Sequence, residues 1–65
     1  MNELRRKRKE KKLTLEDVAK ELGTTKSNYY KKECGQIKVS IPEAFKLAKI
    51  YSTTVDELFF NYKVD

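Results

Sequence analysis

The sequence predicts an all-α fold, a compact bundle of five helices with no confident strand. Apolar residues recur at helical spacing, and a hydroxyl-bearing capping residue precedes most of the periodic segments. Short breaks containing glycine, serine or threonine separate these segments, and the chain has only two glycines and one proline. Its 65 residues suffice for a small core. We therefore expect one domain spanning residues 1–65.

The segment at about 15–34 is predicted to form two short helices joined by a tight turn. Thr14 is placed to cap the first helix, with Asp17 completing a capping box, and Gly23 ends it. Thr25 caps the second helix. The first helix has a single apolar face of four residues, Leu15, Val18, Ala19 and Leu22. A helix, a short turn with glycine and a second helix is the layout of a DNA-binding helix-turn-helix.

The second of these helices carries polar side chains where a core-facing stripe would be expected. One side holds Lys26, Ser27, Tyr30, Lys31 and Cys34. Two cations, a hydroxyl and a phenol suit the base edges and phosphates of a DNA major groove. The alternative is the solvated face of an ordinary small bundle, which composition alone does not exclude.

Three further helices complete the predicted bundle. The first, at 2–12, docks through Leu4 and the aliphatic stems of its cations. Ser40 and Glu43 form a capping box for the fourth helix, and Pro42 fits its first turn. We expect its core face to hold Ile41, Ala44, Phe45, Ala48 and Tyr51, with Leu47 on the border of that face.

A fifth helix of about six residues begins after Thr54, which forms a capping box with Glu57. An apolar tail containing Phe60 and Tyr62 follows it. Ile50, on the preceding helix, is expected to point away from the core. We interpret Ile50, Phe60 and Tyr62 as dimer contacts. The alternative role of the two aromatic residues is to close the end of the core.

The formal charge of +5 lies entirely in the first twelve residues, which hold seven cations and two acids. Such a cluster indicates a phosphate-bearing partner. A membrane surface would require a wide apolar face, and Leu4 is the only large aliphatic residue between positions 2 and 12. The chain has neither a membrane-length apolar run nor a signal-peptide core, so we expect it to be cytoplasmic.

The composition argues against catalysis and against metal or cofactor binding. There is no histidine and only one cysteine, so a zinc site of the Cys/His type is excluded. No glycine-rich phosphate loop is present. The core is too small for a ligand pocket. We expect a protein that is not an enzyme and has no cofactor, metal or small-molecule ligand.

From Leu4 to Phe59 the chain resembles the phage-repressor-like helix-turn-helix family, the XRE or Cro type. The resemblance implies a sequence-specific DNA-binding regulator. It is carried by matching residues in the same order and spacing: Leu13, Thr14, Val18, Ala19, Leu22, Gly23, Thr25, Ser27, Tyr29, Lys31, Glu33, Gly35, Ser40, Glu43, Ala44, Leu47, Ala48 and 55–59.

The resemblance also implies roles for individual residues. Lys26, Ser27 and Lys31 occupy the base-reading positions, with Tyr30 beside them, and a lysine can donate to guanine O6 and N7. Arg8 and Glu33 match an arginine–glutamate pair that ties the first helix to the recognition helix. The alternative for Arg8 is one more solvated cation. The candidate phosphate contacts are Arg5, Arg8, Lys9, Thr14, Gln36 and Lys38.

The loop at 36–39 follows the recognition helix and is expected to lie along a DNA backbone strand. Ile37 and Val39 would tuck beneath it, and its backbone N–H groups would bind phosphate. A short strand is the alternative. Two residues depart from the family pattern. Leu15 replaces a glutamine that often bonds a phosphate, and Lys32 replaces an apolar residue, so its ammonium must reach solvent or a partner such as Glu33 or Asn28.

We therefore expect a repressor that binds a palindromic operator as a symmetric homodimer, with half-sites about 34 Å apart. The alternative is a protein-interaction regulator, an antirepressor or an antitoxin-like partner, that uses the same fold. The departure at Leu15 and the apolar tail favour this alternative slightly, whereas the lysine-bearing recognition face argues against it.

Overall fold

The computed structural model describes the backbone of residues 3–63 and the side chains of residues 3–59. It contains five helices and no strand within that range, which confirms the all-α prediction. They are α1 (Glu3–Glu10), α2 (Leu15–Leu22), α3 (Lys26–Glu33), α4 (Ile41–Ile50) and α5 (Val55–Lys63). No described helix is long and apolar enough to cross a membrane.

The helix ends form largely as predicted from the local sequence. The Thr14 hydroxyl accepts from the Asp17 N–H, and the Asp17 carboxylate accepts from the Thr14 N–H, both at 3.0 Å. Ser40 and Glu43 make the same reciprocal pair. Gly23 ends α2 with a φ of 78°, a left-handed conformation that glycine adopts without a Cβ clash. Gly23 and Thr25, whose hydroxyl accepts from the Asn28 N–H at 3.1 Å, fix the turn between α2 and α3.

The cap of α5 differs from the prediction. The Thr54 hydroxyl accepts from the Glu57 N–H, but the Glu57 carboxylate accepts from the Thr53 hydroxyl at 2.6 Å instead of completing a capping box. α5 also runs beyond the six residues expected, to Lys63, through a non-helical Phe59 (φ −116°). The backbone of the predicted tail is therefore helical to Lys63.

The core lies where α2 packs against α3 and α4, and where α5 packs against α1 and α4. Leu4 is 1% exposed, as its docking role requires. The other buried hydrophobic side chains are Val18, Ala19, Leu22, Tyr29, Leu47, Ala48, Tyr51 and Leu58. Burying these apolar surfaces is the main favourable contribution to folding.

The core face of α4 is rotated from the predicted one. Ile41 is 73% exposed and Phe45 is 64% exposed, whereas Leu47 is fully buried. Ile50 does not point away from the core as predicted, but is half-buried and packs against it. Ala48 and Tyr51 are buried as predicted, and the Tyr51 hydroxyl is bonded inside the core to the hydroxyl of Tyr29 at 2.8 Å.

The loop after α3 also differs from expectation. Val39 is half-buried against the core, but Ile37 is 36% exposed and does not tuck in. The N–H groups of Gln36 and Ile37 both donate to the Lys31 carbonyl, at 2.8 and 3.3 Å. Because these donors complete the C-terminal turn of α3, they are not available to bind phosphate.

The capping carboxylate of Glu43 makes the fold sensitive to acid. The Ser40 N–H and then the Lys32 ammonium hold the pKa of Glu43 below its ordinary value of 4.5. Since the pKa is lower in the folded chain, the stabilisation is complete above about pH 4.5 and is lost as the pH falls through the folded-state value. We predict that Glu43→Gln is less stable than wild type at pH 7 in urea titrations, and that the difference shrinks by pH 3.

Glu21→Gln is the matched control, because Glu21 is exposed on α2. Its stability should follow the wild-type curve from pH 7 to 3. A constant gap between wild type and Glu43→Gln over that range would contradict the assignment.

Candidate nucleic-acid interface

α3 has one face buried in the protein and one face exposed to solvent. Its buried residues are Tyr29, Lys32 and Glu33. The predicted base-reading residues Lys26, Ser27 and Lys31 are all exposed, and Tyr30 is 49% exposed. The structure therefore brings the four predicted base-reading residues together on the outer surface of one helix.

A buried ion pair joins the inner face of α3 to α1. The Arg8 Nε and one terminal nitrogen donate to the two Glu33 carboxylate oxygens at 2.9 and 3.1 Å. The other terminal nitrogen donates to the Leu13 carbonyl at 3.0 Å. The two side chains are 11% and 3% exposed. The hydrogen bond to Glu33 is the largest cause that raises the pKa of Arg8, and the bidentate geometry fixes the position of α3 against α1.

This geometry restricts the predicted phosphate contact of Arg8. Three of its five N–H donors are used inside the protein. The side chain is not the solvated cation of the alternative interpretation. Only the two remaining donors can reach outward.

Two tyrosines hold α3 against α4. Tyr29 and Tyr51 are 0% and 1% exposed, and their hydroxyls are hydrogen-bonded to each other at 2.8 Å. Burial raises the pKa of Tyr51 to about 12 and raises that of Tyr29 further. Both phenols therefore stay neutral in the physiological range, which keeps this buried contact uncharged.

The third contact of the inner face was not predicted. The Lys32 ammonium donates to Glu43 Oε1 at 2.9 Å, rather than reaching Glu33 or Asn28. Asn28 instead donates to the Thr24 hydroxyl. The sequence places Lys32 on the inner face of α3, three residues after Tyr29, and it places Glu43 at the start of α4 through its capping role. It does not indicate that these two side chains meet, because the contact depends on how α3 and α4 pack.

The other predicted phosphate-contact residues lie at the surface around α3. Arg5, Lys9, Thr14, Gln36 and Lys38 are all exposed. The Thr14 hydroxyl accepts from Asp17, so its own proton can still be donated to a phosphate. A hydrogen bond with the Cys34 side chain raises the pKa of Tyr30, and the positive charge of Arg5 acts in the opposite direction.

Part of the basic cluster is used within α1. Arg6 donates to Glu3 at 2.7 Å and to Glu10 at 3.2 Å. These exposed pairs contribute little to stability. The side chains of Phe60 and Tyr62, two of the three predicted dimer contacts, lie outside the described residues. The third, Ile50, packs against the core.

No group of three or more metal-ligating side chains occurs among the described residues. The chain matches the profile of a family described as helix-turn-helix over residues 4–58. That match covers α1 from its second residue onward, all of α2 to α4 and the start of α5. No curated protein and no solved structure matches the chain.

The buried ion pair generates a stability prediction. Arg8→Ala leaves the Glu33 charge buried without its partner, which typically costs about 3–5 kcal/mol. We expect the free energy of unfolding in urea to fall by about that amount. Arg6→Ala is the matched control, because its side chain is 51% exposed, and it should leave the free energy of unfolding almost unchanged.

Replacing both members of the pair by methionine should restore part of the stability lost in either single variant, because no uncompensated charge remains. Equal, small effects of Arg8→Ala and Arg6→Ala would show that the pair does not hold the fold together.

Proposed function

This chain belongs to the XRE-type helix-turn-helix family of Cro and the lambda repressor, a family of DNA-binding transcription regulators, and we propose that it is a repressor. It binds a palindromic operator as a homodimer, with α3 of each copy in the major groove. Phosphate contacts alone cannot supply sequence specificity, so a domain with few base contacts gains from reading two half-sites.

The observation that carries this proposal is the division of α3 into two faces. Tyr29, Lys32 and Glu33 are each bonded to another helix through their side chains. Lys26, Ser27, Tyr30 and Lys31 are exposed on the opposite face. A rigidly held helix that presents donors outward can form repeatable bonds to base edges. A helix whose outer face served only for solubility would not need three polar side-chain contacts to hold its inner face in place.

Each group of residues has its own role in this proposal. Lys26 and Lys31 donate to guanine O6 and N7, and Ser27 adds a less selective contact. The phosphate contacts are Arg5, Lys9, Thr14, the side chain of Gln36, Lys38 and the two outward donors of Arg8. These contacts set the orientation on the duplex and the dependence on salt.

Readout by α3 is tested by comparing two lysines after operator selection from a random duplex pool. We predict that Lys31→Ala relaxes the preference at one base pair per half-site and costs about 1–3 kcal/mol on the best sequence. Lys9→Ala should weaken binding to all duplex sequences equally. It should also reduce the magnitude of the slope of log K against log salt by about 0.9 per lost phosphate contact. Fluorescence anisotropy at several salt concentrations measures both effects.

Lys49→Ala is the matched control, because Lys49 is exposed on α4, away from α3. Its affinity should equal that of wild type. An unchanged sequence preference in Lys31→Ala would exclude Lys31 from base readout.

The homodimer in this proposal uses an apolar groove between α4 and α5. The groove has a volume of about 320 Å³ and is lined mainly by Val39, Ile41, Ala44, Val55 and Phe59. Phe45 lies one turn beyond Ile41, and both are largely exposed. Adjacent exposed apolar residues of this size are typical of interaction sites.

The dimensions of the domain support a second copy as the partner. Half-sites one helical turn apart have centres about 34 Å apart. The longest dimension of the domain is 31 Å. Two copies placed on one face of a duplex with their long axes along it would leave about 3 Å between their Cα envelopes. Side chains span such a gap, so a shared apolar face would hold the two copies in register.

We predict that Phe45→Lys converts the dimer into a monomer of 7.7 kDa by sedimentation, because it places a charge in the apolar interface. Affinity for the full operator should fall, whereas weak binding to a single half-site should persist. Ile37→Lys is the control, since it adds the same charge at another exposed aliphatic residue and should leave the dimer intact.

The same groove supports a second candidate function, a regulator that binds another protein through this apolar face. If wild type is already a monomer and Phe45→Lys binds operator normally, the groove is a binding site for a different protein. Failure of wild type to enrich any duplex would make this second function the preferred one.

A further inference from the structure

A small apolar depression lies within the proposed DNA-reading surface. Leu15, at the start of α2, lines it together with Lys26, Ser27 and Tyr30 of α3. Its volume is about 330 Å³ and its accessible wall is carbon. Leu15 is half-buried and Tyr30 is half-exposed, so the depression opens outward.

The surroundings of this depression are polar and charged, with the cations on its α3 side and the exposed carboxylates of Glu16 and Asp17 on the side of α2. Thr14 precedes Leu15 and is exposed, and the exposed Lys31 follows Tyr30. Lys26 contributes its aliphatic stem to the wall while its ammonium can lie at the rim. An occupant must therefore present an apolar group inside and polar or negatively charged groups around it.

The DNA major groove offers one such group. Each base-pair edge there presents donors and acceptors, and only thymine adds an apolar C5-methyl group. Placing a phosphate or a base carbonyl against a carbon wall would leave that polar group without a hydrogen bond. A methyl group has no such requirement, and the adjacent phosphates can pair with the lysines.

We infer that the depression receives the C5-methyl group of a thymine, so that Leu15 and Tyr30 help to determine sequence specificity. This inference rests on the proposed function. It also gives a role to Leu15, which cannot donate a hydrogen bond to phosphate. One thymine per half-site is expected at the base step facing Leu15, flanked by the positions that Lys26 and Lys31 read.

The test uses the operator enriched in the selection and the full-length chain. Each thymine is replaced in turn by deoxyuridine, which removes only the methyl group. We expect one position per half-site to weaken binding about fourfold (about 0.8 kcal/mol, the burial of one methyl-sized group), measured by anisotropy. Replacement at the other thymines should have little effect.

The same replacements are then measured with Leu15→Ala. This variant should lose the methyl dependence, so that the thymine and deoxyuridine duplexes bind almost equally. The ratio of two affinities for one variant does not depend on how much of it is folded, so a loss of stability does not obscure the result. Leu13→Ala is the matched control, because Leu13 also packs partly buried against the core but does not line the depression. It should keep the fourfold ratio.

Two results would overturn the inference while leaving the proposed function intact. Tight operator binding with no deoxyuridine-sensitive thymine would show that no methyl group is buried. A fourfold penalty that persists in Leu15→Ala would place the methyl group against another residue. If no duplex is enriched, the proposed function fails and this inference fails with it.

Discussion

The bidentate contact between Arg8 and Glu33 determines how α3 is held. It is a direct side-chain tie between α1 and α3, and both side chains are largely excluded from water. Removing one charge from such a pair is far more unfavourable than the net stabilisation that the intact pair provides. The contact therefore favours one arrangement of α3 strongly over arrangements that separate the two groups. Tyr29 with Tyr51, and Lys32 with Glu43, fix the same helix against α4.

These attachments explain how a 65-residue chain can present a fixed surface. They use polar residues of the inner face, so the residues of the outer face remain available to a partner. Five of the seven cations of residues 1–12 then lie on α1, the helix that Arg8 connects to α3. In the function proposed above, attraction of phosphate and readout of bases would be carried by these neighbouring elements, which is the division of roles expected of a DNA-binding surface.

The local features could be predicted from the sequence, and the tertiary ones only in part. The capping residues Thr14, Thr25 and Ser40 act within one turn of the chain, so their patterns identify the helix starts directly. The core face of α4 was found only in part: Ala48 and Tyr51 are buried as predicted, but Ile41 and Phe45 are exposed and Leu47 is buried. Apolar residues lie on several sides of that helix, so the buried side depends on how α4 packs against α2 and α5. The partner of Lys32 was missed for the same reason. Both depend on where separate helices meet.

We propose that the outer face of α3 is the surface that meets DNA, and amide chemical-shift mapping tests this most directly. The ¹⁵N-labelled chain would be titrated with the duplex enriched by selection. If α3 meets DNA, the largest amide chemical-shift changes occur over residues 24–31 and at the start of α2, with smaller changes in α1 and the 36–39 loop. Shifts confined to the α4–α5 groove, with α3 unchanged, would contradict it.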